Sequence, residues 1–157
     1  MFESTLATTH DADLILKLYQ LRQEAALRQA RAWLTGEFFP ESADEVLAIL
    51  NARGSEHNAW FRQVTSYWDM AAAFVLHGAL NAELFLDCNN EPFFLYAKFE
   101  PFLPEIRMQR PGFFAKVGKI VEEYPEARAR VDRVAKSVVE RKAAAARLGS
   151  EKPHLLR

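Results

Sequence analysis

Residues 60–78 constrain the fold more than any other part of the chain. Placed on a helix at about 100° per residue, their apolar and small residues cover most of the circumference. These are Trp60, Val64, Tyr67, Trp68, Ala71, Val75 and Gly78 on one face, with Phe61 and Ala72 beside them. A helix with so much apolar surface, including two tryptophans and a tyrosine, belongs inside a bundle. The sequence therefore predicts that this segment is the central helix of an all-α domain.

A narrow polar strip runs along the opposite side of this helix. It consists of Arg62, Ser66, Asp69, Ala73 and His77. Asp69 and His77 are the candidate acid and base, but eight residues separate them by about 80° and about 12 Å along a helix. Neither side chain could then orient the other directly. We interpret the strip as the solvated edge of the helix, with a lined polar cleft as the alternative.

Helix signals recur on both sides of the central segment. Capping residues are Thr9, Ser42, Ser55 and Asn81, and Gly36, Gly54, Gly78 and Gly149 end or break helices. After residue 91, prolines divide the chain into short pieces. The predicted helices cover residues 11–35, 42–51, 60–78, 82–87, 92–100, 103–109, 112–123 and 126–148. This pattern predicts a single-domain, irregular bundle of about five to eight helices over residues 1–149, with a frayed tail at 150–157.

The first and last long helices carry matching apolar seams. The seam residues are Leu14, Leu18, Leu21, Ala25 and Ala32 in one helix and Ala127, Val131, Val134, Val138 and Ala145 in the other. Seams of this spacing pair helices within a bundle or between two copies of a chain. The spacing does not choose between these arrangements. A homo-oligomer or another protein partner is predicted on this basis.

The composition favours a globular protein in a reducing compartment. Hydrophobic residues make up 50% of the 157 residues, which is too many for a disordered chain. The single Cys88 has no disulfide partner within the chain. No apolar run approaches the roughly 18 residues of a membrane span, and residues 1–13 lack the features of a secretory signal. We therefore expect a soluble, cytoplasmic protein.

Charge is unevenly distributed along the chain. Residues 1–115 contain 9 Lys and Arg against 15 Asp and Glu, whereas residues 116–157 contain 11 against 6. The basic end could bind nucleic acid, but no aromatic platform or recognition motif accompanies it. We favour mutual attraction of the two halves within one fold or a dimer, and nucleic acid is not the expected partner.

No recognisable catalytic constellation is present. His10, His57, His77 and His154 are scattered, and no helical pair of histidines could place two metal ligands on one face. Phosphate-binding loops, dinucleotide fingerprints, nucleophile elbows and EF-hand loops do not occur. The sequence predicts no catalytic residue, no metal and no cofactor. It favours a non-enzymatic interaction or scaffold domain.

Aromatic residues are concentrated between the prolines of residues 92–104. They are expected to close the core, but they could instead leave an apolar patch or pocket. The alternative function is therefore a small-molecule or lipid-binding helical domain, with a small apolar ligand held by the 93–103 segment. Its candidate pocket residues are Asp69, His77, Phe93, Phe94, Tyr96 and Phe99.

One stretch resembles a known group of proteins. Tyr67-Trp68-Asp69 is followed by Gly78-Ala79-Leu80-Asn81-Ala82-Glu83-Leu84-Phe85. This is similar to bacterial all-helical domains of unknown function, in which an aromatic-aromatic-acidic triplet precedes a Gly-x-Leu-(Asp or Asn)-x-Glu helix junction. The resemblance spans residues 60–87 and implies a bacterial source and an all-α fold. It implies no activity, and Asp69 stands where the group often has glutamate.

Overall fold

The computed structural model describes residues 6–151, which are mostly helical. Residues 1–5 and 152–157, including most of the predicted tail, lie outside this description. A 3-10 turn at Glu100–Phe102 links two of the helices. The helices are α1 Thr9–Gln23, α2 Ala25–Gly36, α3 Ala43–Asn51, α4 Glu56–Leu76, α5 Ala82–Cys88, α6 Glu91–Phe99, α7 Leu103–Gln109, α8 Ala115–Glu123 and α9 Pro125–Ser150. The predicted all-α, single-domain bundle is confirmed.

Helix α4 is the central helix, as the sequence predicts. It packs against α2, α3 and α8, and it is capped at its start by Ser55. The exceptions to the predicted apolar face are Trp60, which is half-buried, and Gly78, which is exposed beyond the helix end. The buried residues of α4 are Asn58, Phe61, Val64, Thr65, Tyr67, Trp68, Ala71, Ala72 and Val75. Burial on this scale makes α4 the main organiser of the hydrophobic core.

The prediction of one helix over residues 11–35 is wrong. Glu24 adopts φ −56° and ψ 136°, so that α1 ends and α2 begins at this residue. The break changes the helical phase: Leu18 faces the core, but Ala25 and Ala32 are exposed. No glycine or proline marks this position, and the apolar spacing continues across it. The sequence pattern therefore suggested one continuous seam where the structure has two helices with different buried faces.

Helix α1 begins at Thr9, two residues before its predicted start. Thr8, not Thr9, is its N-cap: the Thr8 hydroxyl accepts the Asp11 N–H, and the Asp11 carboxylate accepts the Thr8 N–H. Asp11 also accepts the N–H of Asn81, at 2.8 Å, where the chain turns from α4 into α5. Its hydrogen bonds with Thr8 and Asn81 lower the pKa of Asp11. One capping box thus ties α1 to the junction after Gly78.

Helix α9 packs mainly on α6 and α8 and also contacts α2. Ala127 and Val131 of its predicted seam are buried, so the first half of the helix is bound within the same chain. Val139 and Leu148, in its second half, are 69% and 66% exposed. The helix continues through Gly149 to Ser150, slightly beyond its predicted end.

Within residues 6–151, no helix has both the length and the apolar character that a membrane span requires.

Candidate ligand-binding groove

Three consecutive residues of α4 connect it to three other helices. The Tyr67 hydroxyl donates a hydrogen bond to the carbonyl oxygen of Leu18 in α1. The Trp68 indole N–H donates to the carboxylate of Glu91 in α6, at 2.9 Å. Burial raises the pKa of Tyr67 to about 12, which keeps the hydroxyl protonated as a donor. The aromatic pair therefore has a structural task that its burial alone would not reveal.

The third member, Asp69, caps a helix distant in sequence. Its Oδ1 accepts the backbone N–H groups of Lys116 and Val117, at 3.0 and 2.9 Å, in the first turn of α8. Helix α8 has no side-chain cap from its own N-cap residue, Phe114. Burial raises the pKa of the Asp69 carboxyl, while the two N–H donors act in the opposite direction. Asp69 thus supplies α8 with its missing N-terminal acceptor.

Glu91 is the hub of a half-buried ionic network behind α4. Besides the Trp68 indole, its carboxylate accepts hydrogen bonds from Nε and Nη2 of Arg31 in α2. The guanidinium of Arg22 lies over the Trp68 ring, 5.1 Å from its centroid, and donates to Asn89 Oδ1 at 2.6 Å. The hydrogen bonds that Arg31 donates to Glu91 raise the pKa of the Arg31 guanidinium. These contacts fasten α1, α2, α4 and α6 to one another.

Lys98 of α6 is a buried lysine whose amine reaches the C-terminal end of α2. Its side chain is 4% exposed, and its amine donates to the carbonyl oxygens of Leu34 and Phe38. The rings of Phe39 and Phe94 lie 4.5 and 5.5 Å from the amine. Carbonyl oxygens left free at a helix C-terminus are natural partners of a lysine. Lys98 is therefore a cap of α2 and part of the core.

The stability of the protein should depend on pH through Lys98. Burial and, to a smaller extent, the nearby Arg141 lower the pKa of its amine to about 7, against the opposing effect of Glu91. Between pH 7 and about 10.5, the unfolded chain holds a proton that folded Lys98 has released, so stability rises with pH. Lys98→Met removes this titration. Urea unfolding across pH 6–10 should show a steeper rise for the wild type than for Lys98→Met, and parallel curves would contradict the assignment.

The six predicted pocket residues occupy separate places. Phe93, Phe94, Tyr96 and Phe99 are at most 6% exposed and belong to the hydrophobic core. Asp69 caps α8, and His77 is exposed in a different hollow, beside Arg107, Lys116 and Lys119. An apolar ligand pocket made by these six residues stays a prediction. Within residues 6–151, no group of three His, Cys, Asp or Glu side chains is placed to hold a metal ion.

A groove of about 500 Å³ follows the outer side of α4. It lies between α4 and the turn at residues 110–114 and is open to solvent. The polar strip predicted from the sequence is divided by this geometry: Arg62, Ser66 and Asp69 line the groove, but His77 does not. The lining residues are Ala59, Arg62, Gln63, Thr65, Ser66, Asp69, Gly112, Phe113 and Phe114.

At the Arg62 end, a hollow of about 360 Å³ adjoins the groove. We call it the arginine hollow, because Arg53, Arg62 and Arg110 line it together with Leu50 and Asn58. The three arginines come from the turn between α3 and α4, from α4, and from the end of α7. Among the described residues 6–151, no carboxylate lines the hollow. Three arginine side chains therefore line one space.

The arginine hollow is held in shape by two asparagines. The buried Asn58 amide donates to the carbonyl oxygens of Ile49 and Leu50, at 2.9 and 3.1 Å, which fixes the end of α3 against the start of α4. Asn51 Oδ1 accepts a hydrogen bond from Arg110 Nη2, at 2.6 Å. The hollow is thus formed by anchored elements.

Some arginines elsewhere in the structure form ion pairs within the fold, whereas others, such as Arg28 and Arg133, form none with another of the described residues 6–151. Arg31 pairs with Glu91, and Arg128 pairs with Glu100 and Asp132. In contrast, no ion pair joins Arg53, Arg62 or Arg110 to another of the described residues 6–151. Clustered, unneutralised guanidinium groups are suited to binding carboxylate or phosphate groups.

The turn that forms the far wall of the groove has a constrained backbone. Phe114 is a buried residue in the left-handed region, with φ 49° and ψ 34°, which is rare for a bulky side chain. The Arg107 guanidinium donates to the carbonyl oxygens of Phe113 and Phe114, at 3.2 and 3.4 Å. A Cβ on Gly118 would lie 2.8 Å from this guanidinium, so glycine leaves space for it. Arg107 thereby supports the turn in this strained form.

Sequence reasoning found Arg62, Ser66 and Asp69 but missed Arg53 and Arg110. Arg53 precedes a helix-breaking glycine, and Arg110 precedes a proline, so each is marked as a surface turn residue. Their convergence on Arg62 depends on packing between α3, α4 and α7, and Arg110 is 48 positions from Arg62. A search for arginines in turns without a neighbouring acid would have selected both residues.

Comparison with known proteins places most of the chain in one family. No curated protein and no solved structure matches the sequence. A family model described as a domain of unknown function, DUF4760, matches residues 7–124. The match includes the Tyr67–Asp69 triplet, the junction after Gly78 and all three arginines of the hollow, and it stops just before α9. The chain therefore belongs to the DUF4760 family.

Proposed function

We propose that the protein is a non-enzymatic interaction domain that binds a short acidic segment of a partner protein in the groove along α4. The observation that carries the proposal is the arginine hollow, in which Arg53, Arg62 and Arg110 line one space and no carboxylate of residues 6–151 joins them. Recognition of acidic segments by clustered arginines is a recurring mode of peptide binding. Because the groove is open, it suits a segment of chain better than an enclosed small molecule.

The charge distribution along the groove favours a ligand that is negative at one end only. Arg62 lies beside the arginine hollow, and Asp69, seven residues later, lies about 10 Å further along the helix. That distance equals about three residues of extended peptide. The Asp69 carboxylate would repel a continuous polyanion such as nucleic acid. It would not repel a neutral or basic residue at that end of the ligand.

Binding can be tested with a designed pentapeptide. The probe Ac-Glu-Glu-Ser-Gly-Lys-NH2 places acidic residues at one end and a lysine at the other, and Ac-Gln-Gln-Ser-Gly-Lys-NH2 is its neutral counterpart. Fluorescence anisotropy of labelled peptides should give saturable binding of the acidic probe. The triple variant Arg53→Ala, Arg62→Ala, Arg110→Ala should bind it about tenfold more weakly, because charge-assisted hydrogen bonds are lost.

A matched control separates this site from net charge. Replacing Arg28, Arg133 and Lys136 with alanine removes an equal number of positive charges elsewhere. These three residues are exposed and form no ion pair within residues 6–151. The control variant should bind the acidic probe as the wild type does. Equal weakening of both triple variants would contradict the proposal. So would tighter binding of a single-stranded RNA oligonucleotide that depends on the same three arginines.

Homo-oligomerisation is a second proposal, and it concerns α9. Val134, Val138 and Ala145 of its predicted seam share one face of the helix and are only half-buried within the described chain, and they support pairing with a second copy. Light scattering at several concentrations tests it, and a strict monomer would count against it.

We further propose a cytoplasmic setting in a bacterial cell. The lone Cys88 supports a reducing compartment, and the resemblance of residues 60–87 supports the source.

A further inference from the structure

The arginine hollow contains more positive charge than a single carboxylate can neutralise. Arg53, Arg62 and Arg110 contribute three guanidinium groups, each with five N–H donors in a planar fork. Of these three arginines, only Arg110 donates a side-chain hydrogen bond to another of the described residues 6–151, and its acceptor is Asn51 Oδ1. A glutamate would bring one charge and two acceptor oxygens. Most of the donors would then remain without an acceptor.

A phosphoryl group matches this donor set better. Phosphoserine carries about −1.5 to −2 charges at pH 7 and three strongly accepting oxygens. Guanidinium groups bind such oxygens in pairs, so three arginines from three directions can surround one phosphoryl group. The volume of about 360 Å³ leaves room for the group and the side chain that bears it.

We infer that the arginine hollow is a phosphoryl-binding site that reads a phosphorylated serine or threonine in the bound segment. The inference rests on the proposed function, because the same groove carries the flanking residues. Asp69, beyond Ser66 on the same face of α4, limits the site to one such group at the arginine end. Asn51 and Asn58 hold the surrounding helix ends in place before the ligand arrives, which reduces the ordering that binding requires.

The test compares three peptides that differ at one position. In Ac-Ala-X-Ser-Gly-Lys-NH2, X is phosphoserine, glutamate or serine, and binding to the full chain is measured by isothermal titration calorimetry at pH 7.5. The phosphoserine peptide should bind about tenfold tighter than the glutamate peptide, and the serine peptide should bind weakest. Inorganic phosphate should compete only weakly, because it lacks the contacts of the flanking residues.

Two further measurements identify the phosphoryl group as the feature recognised. Binding of the phosphoserine peptide should weaken as the pH falls from 7.5 to 5.5, through the second pKa of the phosphate near about 6, whereas binding of the glutamate peptide should change little. Arg62→Lys keeps the charge but removes the planar fork, so it should reduce the preference for phosphoserine over glutamate. The control triple variant at Arg28, Arg133 and Lys136 should retain the preference.

The possible failures are distinguishable. Equal affinity for phosphoserine and glutamate peptides, with both lost in the arginine-hollow triple variant, would overturn the phosphoryl inference and leave the proposed function standing. Failure of all peptides to bind would overturn both. Inorganic phosphate binding as tightly as the phosphoserine peptide would overturn the assignment to a peptide segment and point to a free phosphorylated metabolite.

Discussion

Replacing Phe99 with alanine is expected to lower the free energy of unfolding by about 3–5 kcal/mol. The ring is fully buried and contacts the rings of Phe61, Phe113 and Phe114 at centroid distances of 5.5–6.0 Å. Its removal leaves a cavity that rigid helices on several sides cannot fill. Urea unfolding followed by circular dichroism measures the loss. Because Phe113 and Phe114 also line the groove, the substitution should loosen the groove wall as well.

The neighbouring Phe102→Ala variant serves as the control. Phe102 lies in the 3-10 turn after α6 and is only half-buried, so its replacement should cost about 1 kcal/mol. A loss below about 1 kcal/mol for Phe99→Ala would mean that Phe99 does not pack as a core residue. That result would favour the apolar pocket predicted from residues 93–103.

Replacing Glu91 with alanine is expected to destabilise the protein by about 3 kcal/mol. The Arg31 and Glu91 side chains are only 23% and 17% exposed, so the substitution leaves a guanidinium poorly hydrated and without its carboxylate. It also removes the acceptor of the Trp68 indole N–H. Unfolding in urea should show the loss, and near-ultraviolet circular dichroism should report a changed environment of Trp68.

A double-mutant cycle isolates the Trp68 contact. Trp68→Phe, Glu91→Ala and the double variant should give a coupling free energy of about 1–2 kcal/mol, because the indole N–H bond exists only when both partners are present. Arg128→Ala is the comparison for the ion pair: this arginine binds Glu100 and Asp132 at the surface, so its loss should cost about 1 kcal/mol or less. Additive effects at Trp68 and Glu91 would contradict the network.

Much of the helical framework follows from local signals in the sequence. The capping serines at 42 and 55 and the asparagine at 81 each accept an N–H group three residues ahead, as their sequence context predicts. Gly78, with φ 75°, ends the α4 segment in a conformation that glycine favours. Local signals failed at Glu24, where a change of one backbone angle interrupts an otherwise continuous apolar spacing.

The buried charges could not be assigned from local patterns alone. Lys98 and Glu91 are residue types that usually face water, and each has a partner about 60 residues away in α2, Leu34 for Lys98 and Arg31 for Glu91. One signal was available: Lys98 lies between Leu95 and Phe99 on a helix with little polar surface. The task of Asp69 likewise depends on α8, 47 residues later in the chain. Sequence patterns place such residues on a helix face but do not identify their partners.

The most direct test of the arginine hollow as a binding site is chemical-shift mapping of the whole chain. Backbone amide spectra of the 15N-labelled protein, titrated with the acidic pentapeptide, should shift at residues 51–66 and 110–117, and the Arg53, Arg62 and Arg110 side-chain signals should move with them. Amides in the second half of α9 should remain unchanged. Shifts confined to α9, or no saturable shifts at all, would contradict binding at the groove along α4.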